Sequence, residues 1–323
     1  MKLTVDCVLT NQLSALPQNS ALARLLSKAH IVQLGLPLEA LVCEQHGLKP
    51  VPDYAIAPIA ADADGLDVSD AYWLRADPVH LVLQRDSFNL SEPVPIYVAR
   101  EQAEQVVASL NQHFSQDGLV FLIGNSGAWY LRLNQQPQIQ TILPGVAAGR
   151  NVYQFMPQGA AAAAWVSYLN EVQMLLHEHP VNMARESAGE ATINSIWLSG
   201  GGFMPRPSLS LQREGAEDLV VAHSPFYQGL AKWSGVPYQV AVQSLADILQ
   251  RVESQQHVRL QLSAQQLLDD TCFQVLWNAL KAGSIRQLTV NLGCYEKTLV
   301  ASIRPIDTYK FWRKNKPINT YLT

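Results

Sequence analysis

The chain has 323 residues, of which 48% are hydrophobic and 15% charged, with a formal net charge of −4. That length supports one large α/β domain or two medium ones around a sizeable core. The weak, dispersed negative charge leaves no electrostatic footprint for nucleic acid, so no nucleic-acid partner is expected.

Residues 2–9 alternate apolar and polar as a strand. The opening MKLTVDCVLT is not a signal peptide, because Asp6 interrupts a short apolar run and no small-residue cleavage site follows. Residues 19–29 and 37–47 read as helices. Residues 50–70, rich in Pro, Ala and Asp, read as a surface connection. Asp62, Asp64, Asp67 and Asp70 lack the glycine and terminal glutamate of a calcium loop, so they are expected to be solvated. Residues 79–85 alternate as a strand, with Asp77-Pro78 opening a turn before it. Asp77, Arg85 and Asp86 form a polar patch there. A helix over 98–115 precedes two strands, 119–124 and 128–133, joined by Asn125-Ser126-Gly127 as a hairpin.

From 158 the pattern turns helical. Trp165, Leu169, Val172 and Leu176 make a core stripe, while Asn170, Gln173 and His177 share a polar edge. His179 and Pro180 end that helix, and Pro180 suits the first position of another that runs to Gly189. Asn182, Arg185 and Glu186 share a face of it. Residues 191–198 read as a buried strand entering a loop of Gly200, Gly201 and Gly202. Beyond it, 218–224, 257–263, 285–292 and 296–303 read as strands, and 225–234, 241–253, 264–282 and 306–314 as helices. The expected fold class is α/β: a mixed, largely parallel sheet covered by helices, with a smaller α+β part toward the N-terminus. The weakest seam, near 134–158, divides the chain into 1–150 and 151–323, unless the two form one continuous domain. No window carries about 18 uninterrupted apolar residues, so neither a membrane span nor a membrane partner is expected. Cys7, Cys43, Cys272 and Cys294 form no ligand-spaced pair, which points to reduced thiols in a cytoplasmic protein.

The candidate site is the polar run ending in glycines. Successive N–H groups of Gly200, Gly201 and Gly202 can cradle a phosphate or carboxylate, and Arg185 can bind an oxyanion bidentately. Gln173, His177, Asn182 and Asn194 complete the expected ligand set. The glycines lack the lysine and Ser/Thr of a P-loop, and a tight chain crossing against a packed sheet explains them equally well. His177 and His179 stand two apart, about 200° around a helix, so no metal is expected there. Ser195 sits in NSIWL, not in a nucleophile elbow, so no catalytic residue is assigned. Lys310, Arg313, Lys314 and Lys316 beside Phe311 and Trp312 read as a solvated last helix with an aromatic anchor, or as a contact for a partner.

WLRADPVHLVLQRD (73–86), LNEVQMLLHEHPVNMARESAG (169–189), NSIWLSGGGFMP (194–205) and the tail with Trp312-Arg313 resemble the RpfE-type bacterial regulatory proteins, a cofactor-independent phosphoglycerate mutase-like family. The HPVN…R…G…NSIW…GGG…P run is also similar to archaeal-type phosphoglycerate mutases of the alkaline-phosphatase superfamily. Relatives carry Trp-Gly where Leu198-Ser199 stand here. The resemblance implies the mutase scaffold and an anion pocket. Those enzymes use two divalent metals and a serine nucleophile, with the first ligand just after the first strand in an Asp-Gly context. This chain offers only Asp6, followed by Cys7 and Val8, and no Asp…His pair on the strands at 257–263 and 285–292. The expectation is therefore a catalytically silent regulatory or ligand-sensing protein without cofactor or metal. It would bind a small anionic metabolite or a protein partner. The alternative is an active phosphotransfer enzyme on phosphorylated metabolites.

Overall fold

The computed structural model describes residues 1–9, 20–206, 217–241, 245–251 and 256–321. In chain order it begins with β1 (Lys2–Val8), α1 (Ala21–Lys28), β2 (His30–Leu34) and α2 (Leu38–Gln45). Then come α3 (Ile56–Ala63), β3 (Tyr72–Val79), β4 (Leu81–Gln84), β5 (Ser87–Leu90), α4 (Arg100–His113), β6 (Val120–Ile123) and β7 (Trp129–Leu133). They are followed by α5 (Pro144–Ala147), α6 (Ala162–His177), α7 (Pro180–Ser187) and β8 (Ser195–Gly202). The chain continues through β9 (Leu219–Ala222), α8 (Pro225–Ser234), β10 (Tyr238–Val240), α9 (Leu245–Arg251) and β11 (His257–Gln261). It closes with α10 (Ala264–Leu268), α11 (Asp270–Lys281), β12 (Gln287–Cys294), β13 (Lys297–Ile303) and short 3-10 turns at Pro305–Tyr309 and Ile318–Tyr321.

These elements form two compact units, and the expected boundary at 150 falls inside one of them. One unit joins Met1–Val42 to Pro207–Thr323, and the other is the intervening Cys43–Arg206. The Gln- and Pro-rich stretch that suggested a seam is instead tied down within the second unit, where Gln140 and Gln158 bridge.

The first unit is built on a seven-stranded sheet in the order β10-β9-β11-β1-β12-β13-β2. The neighbours from β10 to β12 run parallel, and β13 is antiparallel to both of its partners. This is the mixed, largely parallel α/β sheet expected. Leu3, Val5 and Cys7 of β1 alternate onto a face shared with Leu22, Leu25 and Leu26 of α1 and Phe273, Leu276 and Leu280 of α11. The opposite face carries the polar alternates Thr4, Asp6, Arg259 and Asn291, and Tyr227 of α8 reaches Asp6 on it. The single helix expected over 264–282 is two, because Asp269 leaves the helical region and accepts the Thr271 N–H as the cap of α11.

The second unit is the α+β part; it is inserted rather than N-terminal, and it is about as long as the first unit rather than smaller. Its antiparallel sheet runs β6-β7-β3-β8, with Leu110 of α4 and Trp165, Leu169, Val172 and Leu176 of α6 on one face, as their spacing predicts. Several local expectations change here. Residues 50–70 contain the buried helix α3, since Ile56, Ala57, Ile59, Ala60 and Ala61 outweigh the aspartates around them. Asp64 is buried, accepting from the Ser126 amide, the Ser126 hydroxyl and Tyr130 Oη. Asp77-Pro78 does not open a turn: both lie in β3, opposite Trp197 and Ile196 of β8.

Candidate functional site

Most of the expected ligand set is engaged with the protein's own backbone. Asn182, buried on α7, donates from Nδ2 to the carbonyls of Leu176 and Ile193, each at 2.7 Å, and accepts the Ile193 N–H at 2.7 Å. Arg185 donates from Nε to Ala191 O at 2.7 Å, from Nη1 to Gln102 Oε1 at 2.7 Å and from Nη2 to Tyr97 O at 3.1 Å. Its Nη1 also lies 3.2 Å from Glu190 Oε2. Glu186 is exposed and does not join that buried face. Asn194 exchanges two bonds with the Leu81 backbone, extending β8 against β4 as a side-chain rung. Gln173 is half-buried and His177 exposed along the outer edge of α6.

The three glycines lie within β8, not in a loop after it. Gly200 is left-handed at φ 66°, and the β3–β8 register slips beside it, between Trp73 and Arg75, as at a β-bulge. A Cβ on Gly201 would fall 2.5 Å from Tyr72 Oη, and one on Gly202 2.6 Å from Ala55 Cβ. Glycine is therefore required by the packing around β8, at Tyr72 and at the entry to α3. The Gly201 N–H does bind a carboxylate, but it belongs to buried Asp53, which Thr141 also contacts through its amide and hydroxyl. Burial pushes the Asp53 carboxyl up, and the Thr141 and Gly201 bonds act against that. Asn194 stands about 23 Å from Gly201 along an extended strand, at roughly 3.3 Å per residue. Arg185, Asn194 and the glycines therefore do not converge on one cavity.

His179 caps α7. Its Nδ1 accepts the Val181 N–H at 3.2 Å, and its Nε2 lies 2.9 Å from Ser109 Oγ. Both ring nitrogens thus have partners within the protein. Burial lowers its pKa from the ordinary 6.5. The unfolded chain then takes up the proton more readily than the fold, so the cap's contribution is complete above that value and lost as pH falls through the folded pKa. Loss of an N-cap amounts to about 0.5–2 kcal/mol. Urea midpoints should drop between neutral pH and about pH 5, and His179→Asn, which keeps a capping oxygen, should flatten that drop. An unchanged pH slope in the variant would remove His179 as its source.

A different cluster lies in the first unit. Asp6, fully buried on β1, accepts from Arg259 Nη1 at 2.6 Å, Asn291 Nδ2 at 2.7 Å and Tyr227 Oη at 3.0 Å. Arg259 Nε in turn donates to Glu217 Oε1 at 2.8 Å. Burial alone would lower the guanidinium's pKa, but Asp6 and Glu217 beside it hold it above its usual value. Burial, reinforced by Asp6, pushes the Tyr227 phenol well up. Both Asp6 oxygens are committed to donors, one of them a fixed cation, so this carboxylate is neither an accessible base nor a free ligand. The divalent metals implied by the resemblance do not fit this donor set. Among the described residues no group of three or more His, Cys, Asp or Glu is placed to hold a metal ion. The cluster was legible only in part: period-two alternation in LTVDCV, HVRLQL and LTVNLG puts Asp6, Arg259 and Asn291 opposite the apolar face. Nothing in the linear sequence says that β1 lies between β11 and β12.

The fold thus defines a mixed α/β protein with an inserted α+β unit. No protein-family model matches the sequence. The chain is similar to a probable 2,3-bisphosphoglycerate-independent phosphoglycerate mutase of Geobacter sulfurreducens, 21% identical over 183 residues, covering 56% of this chain and 46% of that protein. A 2,3-bisphosphoglycerate-independent phosphoglycerate mutase of Methanosarcina mazei is 22% identical over 145 residues, covering 43% of this chain and 36% of that one. The matched region spans less than half the length of these curated relatives. Among solved structures, the PH0037 protein from Pyrococcus horikoshii superposes with a TM-score of 0.52 at 12% identity, covering 99% of this chain and 92% of that one. That likeness is one of fold.

Proposed function

We propose that this is a phosphoglycerate-mutase-like protein that works by binding, as a regulatory or ligand-sensing protein, without metal-dependent phosphotransfer. The observation that carries this reading is the commitment of Asp6 to Arg259, Asn291 and Tyr227. A two-metal transfer site needs several open carboxylate and imidazole ligands around a nucleophile. Here the carboxylate on the first strand is instead neutralised by an internal guanidinium. The similarity to the Geobacter and Methanosarcina mutases supports a shared scaffold, and the resemblance to RpfE-type proteins fits a regulatory use of it. The ligand would be a small phosphorylated or carboxylated metabolite, or a protein.

Interconversion of 2- and 3-phosphoglycerate, assayed with excess Mn²⁺ or Mg²⁺, tests this directly. The expected result is no turnover above a protein-free blank and no heat of Mn²⁺ binding. In a thermal-shift series, a metabolite at 100 times its dissociation constant should stabilise the fold by about 2.7 kcal/mol with no metal added. Metal-dependent turnover would overturn the proposal in favour of an active mutase.

A further inference from the structure

We propose that residues 304–316 form a peripheral docking surface for an anionic lipid interface. The segment follows β13 and carries four large apolar side chains facing solvent: Ile306 is 75% exposed, Tyr309 65%, Phe311 87% and Trp312 65%. Soluble proteins usually keep such side chains scattered, whereas here four fall within seven residues. They are interleaved with cations. Arg304, Lys310, Arg313, Lys314 and Lys316 stand against one carboxylate, Asp307, in a chain whose net charge is −4. The anchor expected of Trp312 is supplied by other groups. Buried Lys28 donates from Nζ to the Lys310 carbonyl at 2.8 Å and also to the Arg313 carbonyl, and Arg313 Nη1 donates to Ala29 O at 3.0 Å. The backbone is pinned at both ends of the aromatic pair, so the rings are presented to solvent by a held scaffold.

The side-chain chemistry selects the occupant. Trp and Tyr with flanking Lys and Arg is the composition that settles at a lipid–water boundary, rings among the headgroups and cations on anionic phosphates. Lysine is depleted in protein interfaces. Phe311 and Trp312 meet edge to face, 84° apart at 5.2 Å between centroids, so they do not form a parallel stack for successive bases. A second copy of the same patch would bring like charges together. The chain's overall negative charge does not oppose local attraction, because screening confines it to about 8 Å at physiological salt. No helix among the described residues is long and apolar enough to cross a membrane, so contact would be at the surface only. This departs from the sequence expectation of no membrane partner, and it is independent of whether the first unit binds metal or metabolite.

Co-sedimentation with vesicles of phosphatidylcholine alone and of equimolar phosphatidylcholine and phosphatidylserine tests it on the intact chain. The protein should pellet with the mixed vesicles, remain free with phosphatidylcholine alone, and be released by high salt. Lys314→Gln with Lys316→Gln should weaken partitioning roughly 30-fold, about a factor of five per cation. Phe311→Ser with Trp312→Ser should weaken it at least as much, with the melting temperature unchanged because these side chains are exposed. No pelleting with the mixed vesicles, or pelleting of either double variant equal to that of the unsubstituted protein, would overturn the proposal. So would binding to polyglutamate or single-stranded DNA in place of vesicles, which would assign the surface to an acidic macromolecule.

Discussion

Asp6→Asn is expected to lower the free energy of unfolding by about 3–5 kcal/mol, the range for removing one partner of a buried ion pair. The native carboxylate takes three side-chain donors and stands against a guanidinium that is itself buried. An amide offers one acceptor oxygen, and its NH₂ group would face donors. Arg259→Met should cost at least as much, since it leaves two carboxylates, Asp6 and Glu217, without the cation between them. Urea unfolding of both single variants and of the double variant gives the coupling energy. A strong coupling is expected, because once either partner is gone most of the damage is done. If Asp6→Asn changed stability by less than about 1 kcal/mol while Arg259→Met created a Mn²⁺ site, the cluster would be a masked metal centre rather than a structural neutralisation.

Arg185→Ala carries the second large effect, about 2–4 kcal/mol, because it strips hydrogen bonds from the Ala191 and Tyr97 carbonyls and from Gln102. Its three donor nitrogens join the segment before α4 to the loop after α7, so the loss should appear as faster unfolding and local amide exchange around both. Binding of phosphate or phosphoglycerate should be unaffected in whatever fraction stays folded. Gln173→Ala and His177→Ala keep the test decisive if Arg185→Ala does not fold. Both residues lie at the outer edge of α6, half-buried and exposed respectively, so truncation is expected to leave the fold intact. Loss of anion affinity in those two variants would restore a ligand role to this segment; unchanged affinity would leave Arg185 as a brace.

The elements that were legible in the sequence are those whose signal is local. The Trp165–Leu176 stripe, the Pro180 start of α7 and the Asn125-Ser126-Gly127 hairpin follow from periodicity and turn chemistry alone. The glycines were ambiguous because the reason for them lies elsewhere, at Ala55, Ile56 and Tyr72. α3 was hidden by its flanking aspartates. Asp64, read as solvated, is buried because Ser126 and Tyr130, some sixty residues on, supply its donors. The insertion was invisible because a chain that leaves a sheet and returns to it shows no change in composition at either crossing. In Arg185 and Asn182 the residue types suited an anion site, but carbonyls and amides of their own neighbourhood claimed them. Polar residue types reveal that hydrogen bonds are needed without revealing who supplies the partners.

The discontinuous first unit also sets an order of events during synthesis. β1 is the sixth residue's strand, yet its partners are far along the chain: Thr4 meets His257 across 253 residues and Asp6 meets Asn291 across 285. At ribosomal rates of about 5–20 residues per second, β1 emerges tens of seconds before β11 and β12 exist. The inserted unit, whose sheet is contained within Cys43–Arg206, is complete long before that. β1 and α1 therefore wait as an unpaired apolar segment until the rest of their sheet is made. A central strand made long before its partners leaves exposed in the nascent chain a segment whose middle five residues are buried in the mature sheet.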